Sequence, residues 1–469
     1  MTTHTSCVRA LGLALCALCG QQAAGQSIVI RNVTVIDVAA GAPVRDQTVV
    51  IESDRIRAIG PSASVAVARG ARVVEGRGKY LMPGMWDMHT HFSLGGRSAL
   101  TMLVVNGVLG VRDMGGGFDV LRAWRDSITA GTMVGPRIEL VGPIVENRAW
   151  LDRVLARMRQ DGNEVVARSL SERIAVSTPE DAQGAVQRVA ALGVSMLKVR
   201  NDPPPPAYFA LLRAARERNI RVVGHPPNRT SLGDASDSGH ASIEHLLLTF
   251  AQGGWGSTLD VLPPEGRAAL LSKLARNRTA LVPTIVAGIG FRHTPDSVVL
   301  AIIDDPTGAR EPRRRYVSDE MAAEWRGQIR MKALEGPQPD WAALNRQASA
   351  HLRAIDSAGV PVLLGTDMGA PLVFPGFAVH DELALMVRDG GMSPARALHA
   401  ATLAPAQFLG LERELGTVAA GKRAELVLLD ADPLADIANV SRINSVIRSG
   451  RLLDRSALDA LMQEVAASR

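Results

Sequence analysis

The sequence predicts an α/β fold, a (β/α)8 TIM barrel with a small β-sandwich domain built from both chain ends. Three observations carry this. The central part alternates short apolar strands with amphipathic helices over about 320 residues, the order that produces a parallel sheet. Both ends instead alternate apolar and polar residues with the period of a half-buried strand. Polar side chains also recur where the central strands stop, as they do on the active-site face of a barrel. An open doubly wound sheet would meet the first observation but has no need of the third.

Taken in order, the chain opens on a segment whose only charged side chain is Arg9, followed by the apolar run Ala10–Leu18 and then Gln21-Gln-Ala-Ala-Gly25. The run is too short to span a bilayer, and small residues follow it. Residues 1–25 therefore read as a signal peptide, and the mature protein as periplasmic or secreted with no membrane attachment. Cys16 and Cys19 each follow a leucine, which argues against a lipoprotein anchor. The three cysteines, Cys7, Cys16 and Cys19, all lie in this segment. The mature chain accordingly has no disulfide, zinc–thiolate site or cysteine nucleophile.

Residues 26–81 carry strand-like alternation at Ile28–Asp37, Thr48–Arg57 and Arg72–Val74, with turns at Gly41, Ser53-Asp54 and Gly60-Pro61. Residues 413–455 add Glu425–Asp430 and Ile443–Ile447. Neither end has enough strands to bury a core alone, so the two are expected to complete one domain. A C-terminal helix is expected over 456–469. Residues 82–412 form the barrel, with strands ending near His91, Asp113, Gly142, Lys198, His225, His245, Thr284 and Asp367. Thr178 followed by Pro179 marks a helix start, and Gly193 its end. The connections 144–176 and 286–340 are long, as lids and substrate walls usually are.

The 469 residues, 46% apolar and 21% charged, describe a globular protein large enough for one barrel and a lesser domain. The net charge of +5 is mildly basic, and its densest cluster, Arg313–Arg315, lacks aromatic interleaving. It reads as a solvated face or an anion contact, which excludes a nucleic-acid partner.

His89 and His91 lie two residues apart at the end of an apolar strand, so both imidazoles project from one face. Lys198, His225, His245 and Asp367 stand at the ends of strands four, five, six and eight. Each alone has a structural explanation. A barrel, however, would aim all six into one mouth, and imidazoles with a carboxylate suit a metal better than a packed core.

The motifs Met82-Pro-Gly-Met-Trp-Asp-Met-His-Thr-His91, Val111-Arg-Asp-Met-Gly115, Leu197-Lys-Val199, Gly224-His225, Ser242-Ile-Glu-His245, Val282-Pro-Thr284, Gly365-Thr-Asp367 and Leu415–Lys422 run in order across nearly the whole mature chain. Together they resemble the amidohydrolase superfamily, in its imidazolonepropionase-like and Xaa-Pro-dipeptidase-like branch. The resemblance implies two divalent ions, zinc favoured, with His89, His91 and Asp367 on the more buried ion and His225 and His245 on the more exposed one. Lys198 would be N-carboxylated and bridge them. A hydroxide shared by the ions would attack an amide carbonyl, and Asp367 would carry its proton to the leaving nitrogen.

The implied enzyme cleaves the C–N bond of a small molecule such as a dipeptide or N-acyl amino acid. A mononuclear cyclic-amide hydrolase or deaminase, a lactone or ester hydrolase, and a silent binding protein are the alternatives; a homo-oligomer is compatible with all. Trp86 stands where relatives carry a small aliphatic residue and reads as core. His380, Arg148, Arg292 and Tyr316, the last with the Arg313–Arg315 cluster, are the candidate substrate contacts. His240 reads as a turn residue, and His293, His351 and His399 as surface or core.

Overall fold

The computed structural model describes residues 27–91, 95–246, 257–332 and 339–468. The expected signal peptide lies outside these residues. Among them, no helix is long and apolar enough to cross a membrane.

The N-terminal strands are β1 (Ile28–Asp37), β2 (Ala42–Glu52), β3 (Arg55–Pro61), β4 (Arg72–Glu75) and β5 (Tyr80–Pro83). Past the central strands, which take the numbers in between, the chain returns with β15 (Leu426–Leu429), β16 (Ile443–Arg448) and β17 (Arg451–Leu453). All eight terminal strands form one sheet in the order β17-β16-β15-β5-β1-β2-β3, with β4 beside β1. β15 pairs antiparallel with β5, setting Leu428 opposite Leu81. The segment before β15 also reaches the far edge, where Ile56 N donates to Lys422 O at 2.8 Å and Ala424 N to Asp54 O at 2.8 Å. The sheet thus curls back on itself around a core of Ile30, Val33, Val49, Ile51, Leu81, Leu426, Leu428 and Ile447. Alternation along β1, shifted once between Ile30 and Val33, places both inside, and Ile30 and Ile447, more than 400 residues apart, share one apolar cluster.

The middle of the chain supplies β6 (Met85–Thr90), β7 (Val108–Asp113), β8 (Arg137–Leu140), β9 (Val145–Asn147), β10 (Ile174–Val176), β11 (Met196–Val199), β12 (Arg221–Gly224), β13 (His240–Glu244) and β14 (Ala280–Val282). β6, β7 and β8 pair in parallel, as do β11 to β14. Gly142 N donates to Met196 O at 3.1 Å and joins the two sets. Residues 361–367 close the ring: Leu281 N bonds to Pro361 O, and Met88 N to Leu364 O, each at 2.8 Å. This eighth member forms only isolated bridges, because Leu364 N turns away to Ala400 O at 2.9 Å. β9 and β10 sit beside β11 as a short extension.

The helix Pro179–Ala191 starts as its sequence dictates. Thr178 and Asp181 form a reciprocal capping box, Pro179 occupies the first turn, and Gly193 (φ 71°) takes the left-handed turn that ends it. The two long connections are largely helical. Arg148–Gln160 and Glu164–Ser171 come from the first, and Asp296–Ile303 and Asp319–Lys332 from the second. Leu151, Met158, Val166 and Leu170 form a separate small core that Met331 of the second connection joins. The two connections therefore meet. The helix Arg455–Ala467 ends the chain, capped by Asp454, which accepts from Ala457 N at 3.1 Å.

Candidate metal centre

His89 and His91 emerge together from the end of β6, with His89 fully buried. Asp367 Oδ1 lies 3.4 Å from His89 Nε2 and 3.7 Å from His91 Nε2. Lys198 Nζ, on β11, is 3.1 Å from Nε2 of each. The His245 ring centroid is 4.7 Å from that of His89 and 5.0 Å from that of His225. All six strand-end residues named from the sequence thus converge. Three strand ends turn sharply: His245 (φ 68°), Thr284 (φ 49°) and Asp367 (φ 58°) all adopt the left-handed region. Such conformations in non-glycine residues cost about 1–3 kcal/mol each and gather where a side chain must be aimed.

A second row fixes the imidazoles. His91 Nδ1 donates to Gly115 O at 2.7 Å, His89 Nδ1 meets Glu244 Oε2 at 2.8 Å, and His245 Nδ1 meets Thr284 Oγ1 at 2.5 Å. Occupying Nδ1 in each ring leaves Nε2 to present its lone pair to the centre. Glu244 is itself held by Arg112 Nη2 at 2.9 Å and by the Ser242 hydroxyl at 2.5 Å. Asp87 ties β6 to the eighth strand, accepting from His89 N at 3.2 Å, Thr366 N at 2.9 Å and Thr366 Oγ1 at 2.5 Å.

Burial keeps the imidazoles neutral. It is the first cause that lowers His91 to about 3 and His245 to about 4, and that holds His89 and His225 well below the usual histidine range. Burial likewise lowers Lys198 to about 7. Asp367 is pushed up by burial but drawn below its usual value by His245, His91 and Lys198. Neutral imidazoles beside an ionised carboxylate form a donor set for a divalent cation. The donor atoms of His89, His245 and Asp367 fall within 4.8 Å of one another. His225 Nε2 is buried with no hydrogen-bond partner among the described residues, as a nitrogen awaiting a ligand bond would be. The residues fit a metal.

Above the centre opens a cavity of about 730 Å³ whose wall includes Trp150, Arg173, Arg200, Phe291, Arg292 and Trp341. Arg292 lies there as the sequence suggested, its guanidinium 4.5 Å from the Phe291 ring and 5.1 Å from that of Trp341. The other substrate candidates do not. Arg148 turns outward to Asp181 Oδ1 and Ala175 O, both at 3.2 Å, because Asn147 caps its helix and aims Trp150 and Arg153 at the cavity instead. Tyr316 stacks on Phe377 at 5.8 Å, away from the wall. His380 is held inside by Asn106 O at 2.9 Å from its Nε2. Nor is Arg313–Arg315 a solvated face: Arg313 bridges Glu311 and Asp381, and buried Arg314 donates to Ile303 O and Val317 O.

His240 is structural, bonded to Tyr208 Oη at 3.0 Å and Gly224 O at 3.2 Å, and Trp86 is core. Sequence reasoning passed over Glu244, Arg112, Asp87, Arg173 and Arg200. The signal for the first three was present as charged residues inside apolar strands, where burial demands a partner.

The Amidohydrolase family profile matches residues 80–453. An imidazolonepropionase of Rubrobacter xylanophilus is 27% identical over 434 residues, covering 87% of this chain and 90% of its own. An ochratoxinase of Aspergillus niger is 24% identical over 426 residues, covering 85% and 80%. Among solved structures, bottromycin amidohydrolase superposes with a TM-score of 0.70 at 25% identity, covering 94% of this chain and 90% of its own. A Xaa-Pro dipeptidase with methionine in its active site gives 0.65 at 20% identity, covering 92% and 100%.

Proposed function

The chain belongs to the amidohydrolase family and is a metal-dependent hydrolase of carbon–nitrogen bonds, and from this premise we propose that it holds two divalent ions and cleaves the amide of a dipeptide or N-acyl amino acid. The observation that carries the reading is Lys198 Nζ at 3.1 Å from both His89 and His91 Nε2, with Asp367 beside them. A buried lysine in that position serves two ions better than one, since a single ion has no need of a bridging ligand.

His89, His91 and Asp367 would hold one ion and His225 and His245 the other. Lys198, whose burial lowers it to about 7, would be uncharged often enough to add to carbon dioxide with loss of a proton, and the carbamate would supply an anionic ligand to the centre. Zinc is the favoured metal for imidazole and carboxylate donors. When bound, the ions supply Lewis acidity toward the scissile carbonyl and lower the pKa of an attacking water.

The chain's own residues do the rest. Asp367, ionised at neutral pH, takes the attacking water's proton and returns it to the leaving nitrogen. Glu244 and Gly115 hold His89 and His91 in one tautomer. Arg292 and Arg200 on the cavity wall receive a substrate carboxylate. Relatives named as an amidohydrolase and a dipeptidase support an amide substrate. The residue pattern of 1–25 supports export, which the N-terminal sequence of protein recovered outside the cytoplasm would test.

The decisive assay is a library of dipeptides and N-acyl amino acids presented to metal-loaded protein and to Asp367→Asn. We expect turnover of one of these classes and a loss of at least about 10²-fold in kcat for the variant, the usual worth of a positioned acid–base group. Undiminished turnover by Asp367→Asn would overturn the assignment.

A further inference from the structure

Thr284 stands as N-cap of the short helix Ile285–Ala287 that follows β14, yet its side chain bonds to none of that helix's N–H groups. A threonine in this place ordinarily has an extended backbone and accepts from the second or third N–H of the helix. Here the hydroxyl is committed instead to His245 Nδ1, at 2.5 Å. The N–H groups it leaves are taken by a residue almost 100 positions further on. Ile285 N donates to Glu382 Oε1 at 2.9 Å, and Val286 N to Glu382 Oε2 at 2.8 Å.

Two features show that this exchange of partners is imposed. Thr284 is held in the left-handed region, at φ 49° and ψ 45°, which a β-branched residue occupies only where its surroundings force it to. The pair of bonds to the next two residues supplies that force. Glu382 itself is fully buried on the helix Phe377–Arg388, and its acidic neighbours Asp87 and Asp381 join burial in raising it, to about 8. Placing such an acid in the interior costs stability. What explains its position is the pair of backbone N–H groups that it serves.

We infer that Glu382 is a positioning residue for His245: by taking the N–H groups of Ile285 and Val286 it keeps the Thr284 hydroxyl on His245 Nδ1, so that Nε2 faces the metal centre. The inference rests on the two-ion reading for the assignment of His245 to the more exposed ion. Without Glu382 both N–H groups lack an acceptor. Thr284 then relaxes to the extended backbone of an ordinary N-cap, turns its hydroxyl to them and releases the imidazole.

Zinc titration of the full chain against a competing chelator tests this, with the parent, Glu382→Leu, Thr284→Val and the double variant. Leucine fills the buried space without an acceptor; Glu382→Gln, which keeps one acceptor, takes its place if the leucine variant does not fold. Each single variant is expected to lose at least about tenfold in affinity for one of the two ions and to keep the other, as removal of a ligand's outer partner does. The double variant is expected to lose no more than the more affected single one, because both act through one bond. In the metal-free full chain, nitrogen NMR of labelled histidine should show His245 as the Nδ1–H tautomer in the parent and as a mixture in either single variant. Parental affinity in the Glu382 variant, equal weakening of both ions, additive losses or an unchanged His245 tautomer would each overturn the inference. A parent that binds only one ion would overturn the two-ion reading instead, and the tautomer would then decide the inference alone.

Discussion

At the scale of single residues, the most consequential contact behind the candidate metal centre is the fully buried pair Glu244–Arg112, which also takes the Nδ1 side of His89. A buried charge left without its partner destabilises strongly, and a repositioned imidazole binds metal less well. We expect Glu244→Gln to lose about 3–5 kcal/mol of stability by chemical denaturation and about 10–100-fold in metal affinity by competition with a chelator. A variant with parental metal affinity would show that His89 needs no such support. The six strand-end residues were legible because each polar side chain closes an apolar run. Glu244 showed only that it needs a partner, not which one, since its neighbour His245 claimed the motif and Arg112 lies 132 residues away. Arg148 was misread for a local reason: the cap at Asn147 sets which helix face meets the cavity, and the sequence reading did not place that cap.

At the scale of elements, the two long connections behave as one wall. Gly327, on the helix Asp319–Lys332, passes so close to Glu164–Ser171 that a Cβ there would stand 3.1 Å from Val166 Cγ2 and 3.3 Å from Asn163 Nδ2. Gly327→Val should wedge the helices apart at a cost of about 1–3 kcal/mol. Its kinetic signature is a raised KM with metal content unchanged, because the wall moves and the strand ends do not. An unaltered KM would separate this wall from substrate binding. Length alone exposed these connections in the sequence. Their helices and their meeting at Met331 were hidden, because the small core they share is assembled from two segments over 150 residues apart, each apolar face too narrow to announce a partner. The eighth strand was legible as an apolar run ending in Asp367, although its isolated bridges make it irregular.

At the scale of the whole molecule, both chain ends hold one sheet together. Leu428 on β15 shares its core with Ile30 of β1 and Leu81 of β5, and all three are fully buried. Leu428→Ala should destabilise by about 2–5 kcal/mol. Hydrogen exchange should then show protection falling in β1 and β5 as well as in β15, whereas a loss confined to β15 would mean that the ends fold separately. The composite sheet was foreseen from strand counting, since neither end could bury a core alone. Its closure through Ile56 and Lys422 was not, because backbone bonds of that kind leave no trace in side-chain pattern.

The central claim is that six strand ends grip two cations around Lys198. Metal analysis of the purified, zinc-reconstituted chain beside Lys198→Ala tests it most directly. The account requires two equivalents in the parent and one or fewer in the variant; a variant that retains both, or a parent that retains none, would contradict it.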